Sequence, residues 1–405
     1  MNTGDTAFML ISTALVMLMT PGLALFYGGL VRNKNVLGTM MHSFVSLGLI
    51  TVVWVLWGYT FAFGPDVGGI IGGLDFLGLK GVGLAPGPYA SKIPHLVFMI
   101  FQCMFAIITP ALIAGAFAER IKFKSYLLFI FFWAIFVYAP LAHWIWGGGW
   151  LGNLGALDFA GGAVVHMSSG FSALAAAIII GRRHGYGTQP YIPHNLPLTV
   201  LGAGLLWFGW FGFNAGSAFA ADGIAVNAFV TTHIAASAAT LSWLFAEWFH
   251  RGRPTILGAA SGAVAGLVAI TPGAGFVSPF AALIIGFLGG TICYSGVLLK
   301  ERLHYDDALD VVGIHGIGGI WGALATGLFA SKLINPNGAD GLLLGNPRQL
   351  WIQFISVIVT ILFVFVMSLI ILKLIDMTVG LRVSEEEEIQ GLDLAQYSET
   401  GYNIS

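Results

Sequence analysis

The chain has 405 residues, 57% of them hydrophobic and only 9% charged, and its mean hydropathy is +0.86. Soluble domains carry about 25% charged residues, so a soluble globular protein is excluded and an integral membrane protein is expected. The formal net charge of −2 offers no attraction to nucleic acid. The N-terminal "MNTGDTAFML" lacks a basic leader and a small-residue cleavage site before its apolar run, so it reads as the first helix and not as a signal peptide.

A helix needs roughly 20 residues to cross about 30 Å of hydrocarbon, and charge-free intervals mark the crossings in chain order. Thr6–Val31 and Asn35–Pro65 are the first two, followed by a loop rich in Gly and Pro. Ile93–Ala118 is the third, Ser125–Leu157 the fourth and Phe159–Gly181 the fifth. Leu196–Ala221 and Ile224–Ala246 are the sixth and seventh. Pro254–Leu299 holds two spans divided at the "TPGAG" turn, Thr271–Gly275, then come Val311–Ser331 and Gln349–Leu372. From Asp376 the chain is polar and acidic, including "SEEEEIQ". The organisation expected is an eleven-helix unit over 1–375 with a tail over 376–405. That unit comprises pseudo-repeats at about 6–181 and 196–331 and a last span at about 349–375.

Lys and Arg favour the cytoplasmic side. With the N-terminus outside, 11 of the 17 basic residues fall on cytoplasmic connections, Lys373 and Arg382 of the last helix and tail bring the cytoplasmic count to 13, and Lys80, Lys92, Lys332 and Arg348 fall outside. The expectation is a multi-pass protein of the cell (plasma or inner) membrane, N-out and C-in. Cys103 and Cys293 lie far apart inside apolar runs and read as buried small hydrophobes, not a disulfide or metal pair.

Two histidines stand inside glycine-rich spans, His166 in "AGGAVVHMSSGFSAL" and His315 in "VVGIHGIGGIWGALATG". An ionisable residue at membrane depth normally marks a pathway or a site. Aligned on each other, the two segments share a Gly at +4 and small residues at +3 and +7, and an Asp precedes each, Asp158 and Asp310. They fall in spans five and ten, the positions expected if spans one to five repeat as six to ten. An odd-numbered repeat must be inverted in the membrane, with its site near the midplane. His166 lies eight residues past Asp158 and His315 nine past Asp306, about 12 and 14 Å at the helical rise. Both imidazoles are therefore expected near mid-membrane as neighbours. No third ligand and no HExxH accompanies them, which argues against a metal, a cofactor or an enzyme. Two neutral rings supply donors and acceptors without a permanent charge, which suits a proton relay or a small polar molecule. His233 has no repeat partner and reads as a bonded structural histidine.

Several ordered motifs carry a resemblance: "FYGGLVRNKN", "FQCMFAIITPALIAGAFAER", "HWIWGGGW", "LDFAGGAVVHMSSG", "PHNLP", "GWFGFNAGSA", "DVVGIHGIGGIWGALATG" and "LRVSEEEEIQGLDLAQYSETGY". Over essentially its whole length the chain resembles the ammonium transporter family (Amt/Mep, with Rh proteins as cousins). The resemblance implies an all-α homotrimer in which each eleven-helix subunit has its own hydrophobic pore. It implies an outer ammonium site of Phe105, Trp146 and Ser217 with Phe101 nearby, a gate of Phe105 and Phe213, and a twin-histidine pair, His166 and His315. Asp158 supports the outer site through backbone and loop contacts, or is only a helix N-cap. Trp146 and Ser217 point to the Amt type, with ammonium and methylammonium as substrates. A PII-type regulatory protein at the cytoplasmic face is also implied. In the tail, Ala395 and Tyr397 stand where relatives carry a phosphorylated Thr and a His, which argues against phosphoregulation of the plant kind. Ammonium transport is the leading expectation. A passive ammonia channel is the mechanistic alternative, and an ammonium sensor signalling through its tail is the alternative from another class. The short tail, below the roughly 50 residues of a small domain, favours transport.

Overall fold

The computed structural model describes residues 1–402. Ten apolar helices in it are long enough to cross a bilayer and one shorter apolar helix joins them: α1 Thr3–Leu30, α2 Asn33–Phe63, α3 His95–Phe117, α4 Phe123–Leu154, α5 Gly162–Ile180, α6 Leu196–Gly216, α7 Gly223–Arg251, α8 Ile256–Ile270, α9 Pro279–Leu303, α10 Val312–Phe329 and α11 Pro347–Val379. The starts follow from local chemistry. Asn2, Asp222, Thr255 and Ser278 each accept a backbone N–H of the first turn they precede, as N-caps do. Pro sits in the first turn of α6, α9 and α11, where its missing N–H costs nothing.

The spans count as the charge-free intervals predict, and the turn after α8 begins at Thr271. The Gly- and Pro-rich loop between α2 and α3 adds two small antiparallel pairs, β1 Asp66–Val67 with β2 Ile71–Gly72 and β3 Pro86–Gly87 with β4 Ala90–Pro94. The architecture is nonetheless all-α. This loop marks one end of the bundle, where Met1's neighbour Asn2 donates to the Lys92 carbonyl at 2.7 Å. The C-terminal tail marks the other.

The two halves pack through small residues. A Cβ on Gly202 in α6 would lie 2.3 Å from the Phe26 nitrogen in α1, and one on Gly29 the same distance from Thr199 Oγ1, so only glycine lets these helices touch backbone to backbone. The second close crossing joins α5 to α10, where a Cβ on Gly170 would sit 2.3 Å from Gly316 Cα. That crossing holds the histidine segments together.

The tail is folded back onto the helical bundle. Ser384 opens α12 (Glu385–Gln390) with a capping box, and α13 (Leu392–Tyr397) follows. Asp393 accepts the Leu37 and Gly38 amides at the start of α2, Gln396 accepts the Phe123 amide, and Glu388 pairs with Arg382 at 2.7 Å. Beside it, Arg183 holds Asp306 and Glu119, and Glu119 also takes Arg32. Burial alone would raise the Glu119 carboxyl; the Arg183 and Arg32 guanidiniums outweigh it and hold the group at about 2.

His233 departs from expectation. It is exposed on α7, with its ring against Trp207 and Phe211 and no hydrogen bond from the imidazole to another described residue. The absence of a repeat partner carried no information about which face of α7 it occupies.

Candidate functional site

Both histidines sit in segments wound as π-helix, Gly162–Met167 and Val312–Gly316, a rare form that clusters at functional sites. What starts α5 is Asp158. Its carboxylate accepts four successive amides, Gly161 and Gly162 on one oxygen and Ala163 and Val164 on the other, at 2.5–3.2 Å. Its carbonyl takes the Trp146 indole N–H at 2.8 Å. Asp158 therefore caps the helix and anchors a predicted site residue at once.

The matching residue in the second half is Asp307, not Asp310. Its carboxylate accepts the Val312 amide at 2.7 Å, and it precedes His315 by the same eight positions that separate Asp158 from His166. Asp310 turns away to pair with Lys300. The physical reason is reach: a capping carboxylate must precede the amides it accepts by a few residues, and Asp310 lies too close to the helix start.

The predicted residues form one column. At the hairpin end, a vestibule of about 260 Å³ is lined by Gln102, Phe105, Trp146 and Ser217 among others. Trp146 stands edge-on to Phe105, 6.1 Å between centroids, and the Ser217 hydroxyl donates to the Phe213 carbonyl at 2.9 Å, leaving its lone pairs free. Phe101 packs behind Phe105 at 4.9 Å and is fully buried, so it backs the wall instead of forming it. Phe105 and Phe213 stack at 4.1 Å and 21° and close the floor.

Beyond them lies a narrow cavity with room for about one water, about 10 Å³. Met19, Leu23, Ile108, Leu112 and Leu206 line it, and its polar groups are Trp210 and the two imidazoles. His166 stacks beneath Phe213, and its Nδ1 meets His315 Nδ1 at 3.3 Å. On the tail side of the histidine segment lies a separate vestibule of about 540 Å³, lined by Ile314, Asp310, Lys300 and Arg183. The described residues contain no cluster of three metal-ligating side chains.

Sequence reasoning did not find Thr271 and Trp210, which hold His166 in place: His166 Nε2 lies 3.3 Å from Thr271 Oγ1, and Trp210 Nε1 donates to the same oxygen at 2.9 Å. The "TPGAG" turn was legible only as a turn. Gln102, whose amide oxygen is buried without a partner among the described residues, was hidden inside an apolar run.

An all-α bundle of apolar spanning helices around a narrow apolar column, entered through an aromatic vestibule, is the architecture of a membrane transporter or channel of small polar solutes. The Ammonium Transporter Family profile matches residues 7–402. An ammonium transporter from Bacillus subtilis is 55% identical over 406 residues, covering 100% of both chains. The crystal structure of Candida albicans Mep2 superposes with a TM-score of 0.91 at 37% identity, covering 99% of this chain and 91% of that one. A structure described as a sensor Amt protein gives 0.89 at 31% identity, covering 97% and 98%. The chain belongs to the ammonium transporter family.

Proposed function

We propose that this chain carries ammonium across the cell membrane as a homotrimer, each subunit using its own column. The ion is drawn into the vestibule by the faces of Trp146 and Phe105 and accepted by Ser217. It loses its proton at the Phe105–Phe213 gate and crosses past His166 and His315 as ammonia, with net proton transfer. Asp158 and Phe101 hold the vestibule in shape.

The single observation that carries this reading is the succession of spaces: an aromatic vestibule, a stacked gate, and a cavity of about 10 Å³ whose polar groups carry no fixed charge. A cation over an aromatic face gains about 0.5–2 kcal/mol, enough to concentrate it. The idealised cost of a bare ion in a low-dielectric interior is about 20 kcal/mol. Ammonium escapes that cost by leaving its proton behind, and potassium has none to leave.

The Lys and Arg count supports an orientation with the hairpin end outside and the tail end in the cytoplasm. The basic tail-side connections and the folded tail offer a docking surface for a PII-type regulator. The test is an ammonium pulse on solid-supported membranes carrying the reconstituted protein, alongside ammonium uptake in proteoliposomes. Sustained current with uptake, absent for potassium, is expected. Uptake without current makes the protein a passive ammonia channel. Ammonium binding with neither current nor uptake makes it a sensor and overturns the transport reading.

A further inference from the structure

The hydroxyl of Thr271 has one proton, and the structure shows where it goes. Thr271 Oγ1 lies 2.7 Å from the Leu267 carbonyl, which can only accept, so the hydroxyl donates there. Its two lone pairs remain. Trp210 Nε1, which can only donate, takes one at 2.9 Å. The third neighbour is His166 Nε2 at 3.3 Å. Since Thr271 has no proton left to give, this contact is a hydrogen bond only if Nε2–H donates.

The rest follows along the pair. A neutral His166 with its proton on Nε2 has a bare Nδ1. His315 Nδ1 faces that nitrogen at 3.3 Å, so it must carry the proton, and His315 Nε2 is left bare. Among the described residues His315 Nε2 has no hydrogen-bond partner, and the ring lines the cavity. We infer that Thr271, positioned by Trp210, fixes the tautomers of the pair: His166 protonated on Nε2, His315 on Nδ1, with the free base on the deeper ring. The inference deepens the proposed transport and rests on that reading for its consequence, though the protonation pattern stands on geometry alone.

The consequence concerns direction. To pass a proton inward, the pair must accept one at His166 Nε2, shift one from His166 Nδ1 to His315 Nδ1, and release one from His315 Nε2. In the assigned arrangement His166 Nε2 is already occupied and His315 Nε2 has nothing to release. The pair is thus held in the state that follows an inward transfer, and each further one requires both rings to reset against the Thr271 bond. Thr271 is a positioning residue that keeps the pair a fixed donor–acceptor line for ammonia and opposes its use as a proton wire.

The test is ¹⁵N NMR of histidine-labelled protein in lipid, with the two signals identified by their loss in His166→Gln and His315→Gln. Wild type is expected to show a protonated Nε2 on His166 and a protonated Nδ1 with a bare Nε2 on His315. Thr271→Ser keeps this pattern, because it keeps the hydroxyl. Thr271→Val removes the acceptor and raises the opposite tautomer pair by about two- to tenfold, the worth of one hydrogen bond. The charge moved per ammonium taken up changes with it. Wild type with Nδ1–H on His166 and Nε2–H on His315 would overturn the assignment. So would a Thr271→Val protein that folds, as judged by an unchanged oligomer on size exclusion, yet keeps the wild-type tautomers. Ammonium uptake is scored separately: if wild type moves none, the transport reading fails while the NMR pattern still decides the tautomers.

Discussion

At the residue scale, Trp146 separates an anchor from a binding group. Its indole N–H is held by the Asp158 carbonyl and its ring stands against Phe105 at the vestibule, so the face is presented by a bond that does not itself involve substrate. If the face holds the ion, Trp146→Leu loses about 0.5–2 kcal/mol, and half-saturation of uptake rises by up to about thirtyfold at 1.4 kcal/mol per tenfold. Saturated flux per folded protein stays level or rises, because a weaker site releases its ion more readily. Concentration-dependent uptake in proteoliposomes checks this, and an unaltered half-saturation would leave Trp146 an interface anchor. The histidines belong to the same scale. Replacing either imidazole by a methyl group widens a cavity that now holds about one water, so His166→Ala and His315→Ala are each expected to admit potassium. Potassium current on the same membranes is the readout, and ammonium selectivity equal to wild type in both variants would refute the expectation.

At the element scale, the column depends on two interrupted helices crossing without side chains between them. Gly170 meets Gly316 so closely that a methyl group would lie 2.3 Å from backbone atoms. Gly170→Ala therefore forces α5 and α10 apart, with an overpacking cost of about 1–3 kcal/mol or more. It is expected to lower the unfolding temperature of the purified protein and to abolish most uptake, because the His166–His315 contact is only as good as that crossing. A control such as Gly204→Ala, on α6 with open space at its Cβ, should leave both measurements unchanged.

At the scale of the whole molecule, the tail end is tied by buried charge. Glu119 sits between α3 and α4, takes Arg32 from the α1–α2 turn and Arg183 from the α5–α6 connection, and is held at about 2 against an ordinary value of 4.5. A carboxyl depressed by folding contributes stability that is complete above its unfolded value and fades as pH falls toward its folded one. The contribution, about 3 kcal/mol, is thus full above pH 4.5 and lost between there and about 2. The gap in unfolding temperature between wild type and Glu119→Gln is expected to be largest near neutral pH and to close through that window. A gap that holds constant down to pH 3 would show that the network does not depend on the charge of Glu119.

The sequence by itself determined the spans and the pairing of His166 with His315, because each rests on a local or periodic signal: hydropathy long enough to cross a bilayer, and a His repeated in matching glycine-rich segments. Motif resemblance supplied the vestibule and gate residues, which composition alone could not separate from 31 phenylalanines. Tertiary structure decided what depends on direction in space. It made Asp307 and not Asp310 the counterpart of Asp158, because capping needs a carboxylate at the right reach from free amides. It left His233 exposed, because the face a residue occupies depends on how its helix packs. It set Phe101 behind Phe105. It also brought Thr271, in the turn after α8, to one ring nitrogen of His166 and Trp210 of α6 to the same threonine hydroxyl, a junction no spacing along the chain encodes. Hydrogen bonds between distant segments are fixed only when the backbone is, which is why the Thr271–His166 contact could be read only from the folded chain.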